Sequence, residues 1–129
     1  MSHFVTLRTD LREREHLLGA LEDLGYGVRE GDGIPLRGDG RQEESAEIVI
    51  DTACDYEIGF RQRGRHFEVV ADWYNIERLT DLRRQKFLER LTQRYAYNII
   101  RDQAREQNLI VEEEQEANGD IILVLSERG

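Results

Sequence analysis

Five arginines, Arg83, Arg90, Arg94, Arg101 and Arg105, follow one another at steps of 7, 4, 7 and 4. At about 100° per residue a helix gathers them within roughly 60° of arc. Such a stripe of guanidinium groups can grip phosphates while Tyr97 stacks a base, or it can rim a docking face for an acidic protein. Asp55 and Asp72 are a second candidate. A hairpin turn at Arg63 and Gly64 would set them opposite each other, where two carboxylates can hold a divalent ion or share a proton. They are weak metal candidates, because strand ends also collect solvated aspartates.

Charge decides between the two readings of the stripe. The 129-residue chain carries a formal charge of −9, which opposes broad attachment to nucleic acid or to an anionic membrane. Tyr97, Ile100 and Ala104 form an apolar face beside the arginines, and aromatics with Arg are enriched at contact surfaces. The favoured reading is a non-catalytic binding or adaptor module whose protein partner, a second copy or a companion, docks on this helix. Nucleic-acid binding through the stripe is the alternative.

Catalytic patterns are missing. His3, His16 and His66 fall on different elements, and the single cysteine, Cys54, cannot build a thiolate metal site or an internal disulfide. The glycines of residues 31 to 45 are not followed by Gly-Lys-Ser/Thr, and there is no nucleophile elbow, paired-His helix or dinucleotide fingerprint. No catalytic residue, cofactor-binding residue or cofactor is assigned; a small metal- or nucleotide-dependent enzyme is a further alternative. No apolar run approaches the roughly 20 residues of a membrane span, and the N-terminus lacks the pattern of a secretory signal, so the expected setting is cytoplasmic.

The elements that position these residues follow from periodicity. His3 to Thr9 reads as a strand, Asp10 with Glu13 as a reciprocal helix cap, and Leu17, Leu18, Leu21 and Leu24 as a helix stopped by Gly25. Tyr26 to Glu30 is the least secure strand, and residues 31 to 45 read as a mobile loop. Ala46–Asp51, Asp55–Gln62 and Arg65–Ala71 read as strands, with Phe60 opposite Phe67, Ile58 opposite Val69 and Tyr56 opposite Ala71. On the long helix Phe87, Leu88, Leu91, Tyr95 and Ile99 make a core stripe in which Asn98 and Asp102 are polar intruders that need partners. Leu109–Gln115 and Asp120–Ser126 flank Asn118-Gly119, a two-residue hairpin signal. The expected fold is one α+β domain over residues 1–129. It has two layers, a mainly antiparallel twisted sheet with two helices packed on one face, in the order β-α-β-β-β-β-α-β-β, leaving the other sheet face open for a partner.

Six strings in order, MSHF, LEDLGY, DYEIGF, FEVVAD, QRYAYN and NGDIILVL, make the chain resemble the hypothetical chloroplast reading frame 35 proteins, grouped as domain of unknown function 1257. The resemblance transfers no catalytic residue. It implies a small intracellular protein of unestablished activity with an accessory role in a multi-protein system that includes a AAA+ ATPase. Lys86 is the only lysine among 18 basic residues, a bias that points to a GC-rich bacterial genome.

Overall fold

The computed structural model describes residues 4–38, 44–117 and 120–127. Among them run β1 (Val5–Arg8), α1 (Arg14–Asp23), β2 (Val28–Pro35), β3 (Ser45–Ile50), β4 (Ile58–Arg63), β5 (His66–Ala71), α2 (Trp73–Leu79), α3 (Arg84–Glu106), β6 (Leu109–Ala117) and β7 (Asp120–Glu127). Five strands form an antiparallel sheet in the order β1-β5-β4-β3-β2, and β6-β7 stands apart as a two-stranded sheet. The architecture is α+β, as the alternating strands and helical periodicity predict.

Successive side chains of β3 to β5 point to opposite faces, and one face gathers Ile48, Ile50, Ile58, Phe60, Phe67, Val69 and Ala71. Those side chains bury against Leu17 and Leu21 of α1, Trp73 and Ile76 of α2, and Phe87 and Leu91 of α3. The opposite face is not left open. Leu36, Ala46, Val49 and Val70 form a second, smaller core there, with Phe4 and Ile34 packed onto it. Gly59 permits that closure, since a Cβ at this position would lie 2.7 Å from Ala46 Cβ and 2.9 Å from Leu36.

The β4–β5 register differs from expectation. Ile58 faces Ala71, Phe60 faces Val69 and Gln62 faces Phe67, because the turn is Gly64-Arg65, not Arg63-Gly64. The first turn residue takes φ 61°, a conformation glycine adopts without strain and arginine does not. A shift by two residues preserves parity, so the predicted apolar face survives.

Two helix starts are also corrected. Helix α1 begins at Arg14 with Glu13 as N-cap and no side-chain cap; instead the Tyr95 hydroxyl accepts from the backbone N–H of Arg12 at 3.0 Å and of Glu13 at 2.9 Å. A third helix, α2, precedes α3, and its N-terminus is capped by Asp72, which accepts from the Asn75 backbone N–H at 3.1 Å. Strand β2 takes up Gly31 to Pro35 of the expected loop, since an edge strand with a register shift between Glu30 and Ile34 tolerates glycine and proline. Residues 39–43 of that loop, His3 and the Asn118-Gly119 turn lie outside the described residues.

Candidate functional site

Helix α3 has three working faces. Phe87, Leu91, Tyr95 and Asn98 are buried. Towards α1 runs a ladder of polar contacts: Asp23 accepts from Arg94 Nε at 3.0 Å and from Asn98 Nδ2 at 3.2 Å, and one turn on His16 Nε2 meets Asp102 Oδ2 at 2.7 Å while its Nδ1 meets Glu13. Both polar intruders on the core stripe therefore find partners on α1. Asn98 clamps the Asp23 carboxylate, and its Oδ1 is buried with no partner among the described residues. Burial pushes the Asp23 pKa up, but the hydrogen bonds from Arg94 and Asn98 and the charges of Arg94 and Arg101 more than offset it and hold the carboxyl below its ordinary range.

The arginine stripe is divided among several tasks. Arg83 precedes the helix as its N-cap, and its guanidinium donates to the carbonyls of Glu77, Thr80 and Leu82. Arg94 is paired with Asp23 and also stacks on Tyr97, its guanidinium carbon 4.3 Å from the ring centroid; Arg101 approaches the same ring at 5.7 Å. Arg90 and Arg105 are exposed and make no ion pair among the described residues. What reads as one basic track is two structural arginines, one aromatic stack and two exposed cations, of which Arg105 lies near enough to Asp102 for its charge to act on it.

The observed register does not set Asp55 opposite Asp72. The observed register would bring Glu57 to the level of Asp72; Asp55 is exposed, and buried Asp72 gives its carboxylate to Asn75. Among the described residues no group of three or more His, Cys, Asp and Glu side chains is placed to hold a metal ion. His66 Nδ1 lies 3.1 Å from the Thr9 carbonyl, away from His16.

One polar cluster has no counterpart in the sequence reading. Glu57, an acid on the sheet face opposite the main core, is 1% exposed. Its Oε1 accepts from the Arg37 backbone N–H at 2.8 Å, while Oε2 pairs with the Arg29 guanidinium and with that of Arg37 at 3.3 Å. Asp51 accepts from both arginines at 3.3 and 3.5 Å. The cluster ties β2 and the segment after it to the sheet. Its only sequence signal is an acid in the strand pattern, which alternation assigns to solvent.

The outer face of α3 is the accessible feature. A groove of about 1010 Å³ runs between Leu88, Tyr97 and Ile100 on the helix and Ile121, Leu123 and Leu125 on β7. Ile100 is 42% exposed and Leu125 39%; Ile122 and Val124, at 47% and 40%, point from the other side of the hairpin. Isolated exposed apolar residues are ordinary, but a continuous set lining a concavity marks a binding surface.

A model for a family described as Protein of unknown function (DUF1257) matches residues 20–124. The chain belongs to the DUF1257 family. The match runs from α1 into β7 and takes in all of α3. Uncharacterized protein ycf35 of Guillardia theta is 36% identical over 126 residues, covering 97% of this chain and 96% of the relative. Ycf35 of Cyanophora paradoxa is 29% identical over the same shares, and that of Pyropia yezoensis is 28% identical over 107 residues, 83% of this chain and 81% of the relative. No solved structure matches. These relatives lend no support to the bacterial source suggested by arginine usage, and among the described residues no helix of this DUF1257 protein is long and apolar enough to cross a membrane.

Proposed function

We propose that this DUF1257 protein is a non-catalytic binding module that docks a protein partner through the outer face of α3 and the β6–β7 hairpin. The observation that carries the reading is the groove: a concavity bounded by apolar side chains of a helix and a two-stranded sheet, with Tyr97 held by two arginines at its margin. An aromatic anchor fixed by stacked guanidinium groups, beside Ile and Leu, is the composition of an interface centre. The expected docking on an open sheet face is dropped, because the second core covers the middle of that face.

The internal use of Arg83 and Arg94 weakens the nucleic-acid alternative, since neither is free to follow a phosphate backbone. An accessory role beside a AAA+ ATPase is what the family resemblance implies for the system in which the module works. A cytoplasmic setting suits the free thiol of Cys54, which packs against the main core with its sulfur near the Thr52 hydroxyl and the Tyr56 carbonyl.

A photo-crosslinking residue at Ile100 or at Ile122 in living cells tests the proposal. Discrete protein adducts are expected at both positions and none at Arg65, on the exposed turn at the far end of the five-stranded sheet. Absence of adducts at the groove, or equal labelling at Arg65, overturns it.

A further inference from the structure

The two sheets have four edges, and three carry features that discourage pairing. Strand β1 is only four residues long; β2 has a register shift, two glycines and Pro35; β6 carries the run Glu112, Glu113, Glu114 and Glu116. Short strands, irregularities, proline and repeated charge are the means by which exposed edges avoid other chains. Strand β7 has none of them. It runs eight residues, DIILVLSE, with its charges only at the ends, and among the described residues its outer edge pairs with nothing. A two-stranded hairpin alone is marginal in water, so this edge gains most from a further strand.

We propose that the occupant of this edge and groove is a second copy of the chain, joined by antiparallel β7–β7′ pairing across a two-fold axis. The proposal rests on the docking reading above and names its partner. Copies related by a two-fold axis normal to the sheet pair antiparallel with equivalent faces on the same side, so a residue must lie on the axis. Centring on Leu123 sets Ile121 opposite Leu125′, Ile122 opposite Val124′ and Asp120 opposite Ser126′. All five apolar residues then meet apolar partners and no like charges face each other. Centring on Val124 would place Ile121 opposite Glu127′, and centring on Ile122 would place Asp120 opposite Val124′. The product is a four-stranded sheet, β6-β7-β7′-β6′, with the glutamate-rich strands outermost, where they stop further addition.

The groove agrees with this geometry. Ile121, Leu123 and Leu125 of β7, the strand with the free edge, contribute to its wall opposite α3. Pairing through β7 about an axis normal to the sheet brings the second α3, with its groove, onto the same side of the new sheet.

The test is molar mass by light scattering across a concentration series, with a charge swap at the central pairs. Wild type should run at twice the 15.1 kDa monomer mass. I122K/V124K and I122E/V124E, each placing like charges across the axis, should dissociate at least about 100-fold more readily. Mixed together they should recover the double mass as a heterodimer. Far-UV circular dichroism and thermal midpoints close to wild type show that the variants are folded. Monomeric wild type throughout, a dimer indifferent to the swaps, or swapped chains that do not recombine would overturn self-pairing. Adducts at Ile100 with another protein in a monomeric wild type would leave the docking reading standing while this one fails.

Discussion

His16 and Asp102 join α1 to α3: the imidazole Nε2 lies 2.7 Å from Asp102 Oδ2, and Nδ1 is held by Glu13. Burial works against the charged ring, but hydrogen bonds to both carboxylates and the attraction of their charges outweigh it and raise the His16 pKa above 6.5. The bond from His16 chiefly, with the charges of His16, Arg101 and Arg105, holds Asp102 below 3.8. A raised histidine pKa contributes stability that is complete below the unfolded value and is lost as pH rises through the folded one. A depressed carboxylate pKa contributes stability that is present above its unfolded value and is lost as pH falls through the folded one. The latch is therefore strongest between about pH 4 and 6.5.

The first prediction is that the thermal midpoint of wild type exceeds that of His16→Gln by most near about pH 5.5, and that the difference shrinks by about pH 8.5. Melting both proteins across that range measures it. A constant difference would show that His16 acts by packing against Tyr95, whose ring centroid is 6.3 Å away.

The latch also shows where sequence reading runs out. Periodicity placed Asn98 and Asp102 on the buried stripe of α3, so their need for partners was legible. The partners were not, since Asp23 and His16 lie 75 and 86 residues away in the chain. Alternation identified the core face of β4 and β5 but not their register, because a slip of two residues leaves every side chain on its face; Gly64 settled it through a positive φ. Helix α2 leaves no periodic signal, because its seven residues are too few for a stripe, although Asp72 and Asn75 stand at capping distance. The independence of the β6–β7 sheet has no local signal at all. It follows from how the end of α3 leads into β6, with Asn108 at φ 64°.

Glu57 furnishes the second prediction. It is an acid with 1% exposure, yet Arg29 and Arg37 keep 46% and 59% of their side-chain surface in water, so solvent screens much of the pairing. The larger contribution comes from the carboxylate as an acceptor, above all for the Arg37 backbone N–H at 2.8 Å. Glu57→Gln keeps one acceptor but turns an amide N–H₂ towards a guanidinium, leaving donors facing donors. A loss of about 1–3 kcal/mol is expected, read by urea denaturation with an unchanged slope. A loss under about 0.5 kcal/mol would mean that Arg37 is held in place by the Glu57 backbone N–H on its carbonyl, by Asp51 and by buried Leu36, without the Glu57 carboxylate.

Arg83 separates structure from docking within the arginine stripe. Its guanidinium donates to the carbonyls of Glu77 at 3.0 Å, Thr80 at 3.1 Å and Leu82 at 2.8 Å. Two of these carbonyls lie at the end of α2, where the last peptide oxygens lack helical partners and the dipole favours a cation. Glu77 completes the clasp by accepting from the Arg84 backbone N–H at 2.9 Å. Arg83→Ala should therefore lower stability by about 0.5–1 kcal/mol and leave the molar mass of the assembly unchanged. The opposite outcome, an unchanged thermal midpoint with a dissolved assembly, would return Arg83 to the docking surface and move the interface from the β7 side of α3 to its arginine side.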